Sequence, residues 1–214
     1  MGTDSTDSTD SPDSTDSRDS TDSPDYADRL RRKQTVWWKR LLHVQAPYHW
    51  NLRRQGLGRT LDVGCGIGRN LGVLPPGSVG VDHNTDSVAL ARSMGYDALT
   101  VEEFLDGGLA VPGAFDGLLL AHVLEHMDRG QAGRLVGDYL RYVRPGGRVF
   151  LVCPQERGYA SDPTHVWFAR DVELAELVST LGLELERSFS FPFPRKAGQL
   201  FVYNEFCVTA RVPL

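Results

Sequence analysis

The run Leu61-Asp62-Val63-Gly64-Cys65-Gly66-Ile67-Gly68 sets glycines at alternate positions directly after an apolar stretch. A Cβ there would obstruct both a positive-φ turn and the approach of a ligand to the backbone. Further along, Gly80-Val81-Asp82 closes a second short apolar run, and an acid so placed can accept hydrogen bonds from vicinal ribose hydroxyls. Either feature alone is common; together, in a strand-helix-strand frame, they read as a grip on one nucleoside. A second group of reactive residues lies in His122-Val123-Leu124-Glu125-His126 and in Asp162-Pro163-Thr164-His165. Imidazole has an ordinary pKa of about 6.5, which suits proton transfer at physiological pH. His126 and His165 are the expected general base or acceptor contacts, and a histidine satisfied by the backbone accounts for either position equally well.

The spacing of the glycines bears on which nucleoside is held. A dinucleotide fingerprint, GxGxxG, requires glycine where Arg69 stands. S-adenosylmethionine (SAM) has no pyrophosphate to seat on a helix N-terminus. It carries instead a sulfonium and an amino-acid end, which suit a nearby carboxylate such as Asp62 and backbone carbonyls. NAD is the alternative cofactor.

The elements that must position these residues alternate in type. Expected strands are 59–63, 78–82, 97–101, 115–121 and 148–153; expected helices begin at Arg69, run over 85–94 with Gly95 as the stop, and cover 131–143 and 170–181. Pro145-Gly146-Gly147 is a turn. Leu183, Leu185, Arg187, Phe189 and Phe191 follow period two, and 200–212 is a long apolar run, which together predict an antiparallel pair at the end of an otherwise parallel α/β sheet.

The chain has 214 residues and 41% apolar content, enough to fill one core. Residues 1–25 repeat Thr-Asp-Ser with eight Asp against one Arg, and with nothing apolar to bury they are expected to be disordered. Without that tail the net charge of −5 becomes slightly positive, too little for broad capture of nucleic acid. Residues 26–55 read as a helical lid, basic on one face and interrupted at Pro47, and 56–214 as the main domain. Cys65, Cys153 and Cys207 form no CxxC pair, and no apolar run is long enough to cross a bilayer. A cytoplasmic protein, monomer or homodimer, with no membrane partner is the expectation.

From Leu61 to Val152 the sequence resembles the class I SAM-dependent methyltransferases, of the methyltransferase type 11/12/23 kind. The resemblance rests on the Asp62–Gly68 loop, Asp82, Phe115-Asp116-Gly117 leading into His122–Met127, and Val143-Arg144-Pro145-Gly146-Gly147. It implies a Rossmann-like α/β fold with a seven-stranded, mostly parallel sheet ordered 3-2-1-4-5-7-6, strand 7 antiparallel. In that family the loop wraps the methionine part, the acid at Asp82 binds ribose, and the segment at Val101-Glu102-Glu103-Phe104 lies near adenine. The expected cofactor-binding set is Asp62, Gly64, Cys65, Gly66, Gly68, Asp82, His83, Ala121 and His122. His122, Glu125 and His126 have i, i+3, i+4 spacing, with His165 as a further ligand; this resembles the metal motif of plant small-RNA 2′-O-methyltransferases, but His122 stands where those have Glu, and the sequence reading assigns no metal.

The expected function is methyl transfer to a small-molecule acceptor, at O or N. The Asp/Asn-Pro-Pro-aromatic motif of DNA amino-methyltransferases is lacking after the fourth strand, where Ala121-His122-Val123 stands, so no nucleic-acid partner is expected. The alternatives are a catalytically silent SAM-binding or regulatory protein and an NAD-dependent oxidoreductase. Phe191-Pro192-Phe193-Pro194-Arg195 is read as a stiffened link, with Arg195 available to an anionic acceptor.

Overall fold

The computed structural model describes residues 45–214. The expectations for the repeat tail and for residues 26–44 of the lid lie outside the described residues. Seven strands form one sheet in the order β3-β2-β1-β4-β5-β7-β6. They are β1 Thr60–Val63, β2 Val79–Asp82, β3 Ala98–Thr100, β4 Phe115–Ala121, β5 Val143–Pro154, β6 Glu184–Phe191 and β7 Glu205–Arg211. β7 is antiparallel to both β5 and β6, while β1 to β5 pair in parallel. This is the Rossmann-like α/β sheet, with the strand order and the single reversed strand that the resemblance implies.

Alternation along the central strands explains why both faces are covered. Leu118 and Leu120 of β4, with Val149, Leu151 and Cys153 of β5, enter one core; Leu119, Phe150 and Val152 enter the other. The first face is closed by α3 (Val101–Asp106), α4 (Arg129–Leu140) and, after the one-turn α5 (Glu156–Tyr159), α6 (Asp171–Thr180), through Phe104, Val136 and Leu174. The second is closed by α1, residues 45–54, through Leu52, and by Val73 and Leu74. Helix α2 (Thr85–Ser93) packs Val88 and Ala91 on Cys65 and Leu71. Leu118, Leu119 and Leu120 are each no more than 1% exposed. At roughly 1.5–3 kcal/mol per buried side chain, a one-residue slip of β4 would be prohibitive, so the end of this strand is held in place.

Several expectations about elements are corrected. No helix forms over 69–73; the chain makes isolated turns, with Leu71 N–H donating to Gly68 O at 3.1 Å and Val73 N–H to Asn70 O at 3.0 Å. Gly72 weakens helical order, and Pro75, followed by another proline, disfavours the helical region at Leu74, so too few residues remain to nucleate a helix. Pro47 lies inside the helical stretch 45–54, because proline forfeits a bond only towards the chain before it. Val101 leaves the third strand and opens α3, where Thr100 and Glu103 form a reciprocal capping box. β5 begins at Val143, with Pro145-Gly146-Gly147 as a bulge between Val143 and Arg148, which pair with Phe115 and Gly117. β7 starts only at Glu205, after a 3-10 turn at Arg195–Gln199.

Candidate functional site

The carboxyl ends of β1, β2 and β4 meet at a cavity of about 260 Å3. After β1 the chain bends sharply, and Gly64 N–H donates to Val81 O at the end of β2, at 2.8 Å. Gly64 has φ +73°, and a Cβ there would come within 2.4 Å of Val123 Cγ2. Gly66, at φ +52°, leaves its Cβ position open, and its N–H donates to Asp82 Oδ2 at 2.7 Å. The other Asp82 oxygen accepts from Asn84 N–H at 2.9 Å. Asn84 in turn caps α2, its side chain accepting from Ser87 N–H at 2.8 Å. One carboxylate thus ties the glycine loop to the start of the next helix, and each of its oxygens retains a lone pair for a ligand.

Of the residues singled out in the sequence, Gly64, Gly66, Asp82, His83, His122 and His126 line this cavity together with Val101, Met127 and Tyr139. Ala121 and His122 line an adjoining pit of about 60 Å3 with Tyr48, Asn51, Leu52, Asn70, Phe150, Val152 and Glu205. His122 belongs to both walls. Cys65 and Gly68 are in the loop but turn away: a Cβ on Gly80 would strike Cys65 Sγ, and one on Gly68 would strike Tyr96. Asp62 is buried beneath the loop, at 1% exposure, and neither carboxylate oxygen has a partner of good hydrogen-bond geometry. Burial, moderated by the neighbouring Asn70 amide and reinforced by Asp82, pushes its carboxyl up to about 8.

His122 follows β4 directly, at φ +60°, a left-handed conformation that costs a non-glycine residue about 1–3 kcal/mol. Its Nδ1 lies 3.3 Å from Glu125 Oε1 and its Nε2 is 2.8 Å from Glu205 Oε1. Burial pulls the ring towards neutrality, but the two carboxylates outweigh it and push the pKa up to about 10. With 47% of the side chain exposed, water screens part of that pull; the ring is cationic at neutral pH all the same. Glu125, 1% exposed, would be raised by burial, yet the His122 ring holds it below the usual carboxylate range.

His126 stands at the cavity wall, and burial lowers its pKa. Its Nδ1 is 3.1 Å from Thr164 Oγ1, whose hydroxyl donates to Asp162 Oδ1 at 2.7 Å. His165 is not in the lining; its ring packs edge-on against His126, centroids 4.8 Å apart, and its Nδ1 lies 2.8 Å from Tyr159 O. Arg195 pairs with Glu156, its Nη1 at 2.8 Å from Oε2, and lies over the Phe206 ring, outside the lining of the cavity. Glu205 is the site residue that sequence reasoning passed over as part of a strand. Its only signal is an acid heading the apolar run Phe206-Cys207-Val208. A larger, open depression over α4 and α6, about 660 Å3, is floored by Arg129 and Glu176 paired with each other and gathers no comparable chemistry.

The family described as "Methyltransferase domain" matches residues 61–151. Among solved structures, magnesium protoporphyrin IX methyltransferase from Synechocystis PCC 6803 with bound SAM is similar at TM-score 0.61 and 17% identity, over 90% of this chain and 93% of that one. Burkholderia thailandensis 1,6-didemethyltoxoflavin-N1-methyltransferase with bound S-adenosylhomocysteine is similar at 0.57 and 23% identity, over 89% and 90%. A SAM-dependent methyltransferase from Archaeoglobus fulgidus is similar at 0.56 and 19%, over 77% and 92%. A search among curated proteins finds no match. The glycine loop, the acid after β2 and the reversed seventh strand thus converge with the comparisons: residues 61–151 match the methyltransferase-domain family, and the chain has the class I SAM-dependent methyltransferase fold.

Proposed function

We propose that the protein transfers a methyl group from SAM to the oxygen or nitrogen of a small-molecule acceptor. The observation that carries this reading is the 2.7 Å bond between Gly66 N–H and Asp82 Oδ2, which makes the loop and the acid one cradle on a single cavity. The residues fit an adenosyl ligand. Asp82 offers spare lone pairs to ribose hydroxyls, Val101, Met127 and Tyr139 supply apolar walls for a base, and the open side of Gly66 admits the ligand to the backbone. Bound there, SAM supplies a methyl group made electrophilic by its sulfonium. The chain's own task is to hold the acceptor lone pair in line with it, about 3–3.5 Å away. His126, kept neutral by burial, can take a proton from an acceptor hydroxyl or ammonium at the wall it lines. His165 supports that ring through its edge.

An NAD-dependent reaction finds less support. Pyrophosphate recognition uses the N-terminus of a helix directly after the glycine loop, and here residues 69–73 form only turns. Two of the similar structures bear the names of enzymes acting on small molecules, which favours that acceptor class. No helix among the described residues is long and apolar enough to cross a membrane. Titration calorimetry with SAM and with NADH, followed by mass spectrometry of cell extract incubated with the protein and isotopically labelled SAM, tests the reading. SAM binding with labelled product is the expected result; NADH binding, or SAM binding with no labelled product, would overturn it.

A further inference from the structure

Beside the cofactor cavity, three side chains converge that can each offer one ligand atom to a metal ion. One ligand atom each of Glu125, His126 and His165 lies within 4.8 Å of the other two. Hydrogen bonding fixes the tautomer of both rings. The Thr164 hydroxyl spends its proton on Asp162 Oδ1, at 2.7 Å, so its oxygen can only accept from His126 Nδ1–H. Likewise the Tyr159 carbonyl can only accept, so His165 carries its proton on Nδ1. Each ring therefore keeps its Nε2 lone pair available, the arrangement in which a metal-ligating histidine donates its other N–H to an oxygen. The third member, Glu125, is 1% exposed, and apart from the His122 ring at 3.3 Å neither of its carboxylate oxygens has a partner of good hydrogen-bond geometry. A buried carboxylate without such partners is costly unless a cation serves it. His122 answers that need only on one side, at 3.3 Å, and both of its own nitrogens face carboxylates, which takes it out of the donor set.

We propose that Glu125, His126 and His165 form a site for a borderline divalent transition ion of the zinc and cobalt class. Two imidazoles and one carboxylate suit such ions, whereas magnesium and calcium prefer oxygen alone. Three protein ligands leave coordination positions open, as in catalytic rather than structural zinc sites. Ligands at about 2.1 Å from a tetrahedral ion stand roughly 3.4 Å apart, so the present spacing closes by small side-chain rotations on loading. The site does not depend on the cofactor reading, since the ion binds the apoprotein; His126 acts as a proton acceptor only while its Nε2 is unligated.

The test is titration of the purified, chelator-treated full-length protein with cobalt(II) and zinc(II) chloride, followed by visible ligand-field absorption and calorimetry, with no SAM or acceptor present. A single saturable equivalent with the intense visible bands of low-coordinate cobalt is expected. His165→Ala, at a half-buried position, should abolish it, and Thr164→Val, which removes the hydroxyl that His126 Nδ1–H and Asp162 share but leaves all three ligands in place, should weaken it roughly 10–100-fold. His122→Asn, which tolerates the left-handed backbone, should still bind. Absence of saturable binding in the wild type would overturn the assignment. So would binding that survives His165→Ala, or binding lost in a folded His122→Asn protein.

Discussion

Replacing Asp82 with alanine removes a carboxylate that holds two protein N–H groups and, on the proposed reading, two ribose hydroxyls. Within the protein the losses are the bonds from Gly66 N–H at 2.7 Å and Asn84 N–H at 2.9 Å. A hydrogen bond to a charged group contributes about 1.5–3 kcal/mol, and the freed donors at the cavity mouth recover part of this from water. The apoprotein should therefore lose about 2–3 kcal/mol of stability, read from the urea midpoint at unchanged slope. Loss of the ribose bonds should weaken S-adenosylhomocysteine by about 1.5–3 kcal/mol, a factor of roughly 10–150 in Kd by calorimetry. Asp82→Asn separates the two effects, because its amide oxygen can keep the Gly66 bond while its NH2 opposes the Asn84 donor. An intermediate stability and an affinity still reduced are expected. Unchanged affinity in a folded Asp82→Ala protein would refute the claim that loop and acid share one ligand.

Gly64→Ala should destabilise the protein by about 1–3 kcal/mol and abolish S-adenosylhomocysteine binding, since φ is +73° and the added Cβ meets Val123 Cγ2 at 2.4 Å. Adding Val123→Ala should restore the steric part but not the part due to backbone conformation; full recovery of stability, measured by thermal unfolding, would contradict this. Asp62, pushed up to about 8 in the folded state against about 4 when unfolded, holds a proton on folding across that interval, so its contribution is complete below pH 4 and lost as pH rises through 8. Asp62→Asn should thus gain on the wild type in urea stability at pH 9 compared with pH 5, and a difference independent of pH would show that the carboxyl is not raised.

The fold was legible wherever a short apolar run met a turn residue. β1, β2, β4 and α2 fall within a residue of their expected ends, and Gly64, His122 and Gly95, all at positive φ, mark sharp changes of backbone just after β1, β4 and α2. Less legible was anything decided by competition. The first helix lost to Gly72 and the Pro75-Pro76 pair, and α3 won through a capping box, Thr100 to Glu103, whose sequence signature is only a pair of residues. At the site, the loop and Asp82 could be paired from spacing, since the strands that bear them are neighbours. The position of Glu205 could not: it arrives from β7, with β5 between that strand and β4, and only the folded sheet sets it against His122. Nor could sequence spacing reveal that His122 is engaged by carboxylates on both sides while the His165 ring packs edge-on against His126.

The small pit beside His122 draws on a wider stretch of the chain than the larger cavity does. Its contributors Tyr48, Asn51, Leu52, Val152 and Glu205 come from outside the matched segment 61–151, whereas Gly64, Gly66, Asp82 and His126 all come from within it. Substitutions in those flanking segments can therefore reshape one wall of the pit while leaving the loop and acid that face the larger cavity unchanged.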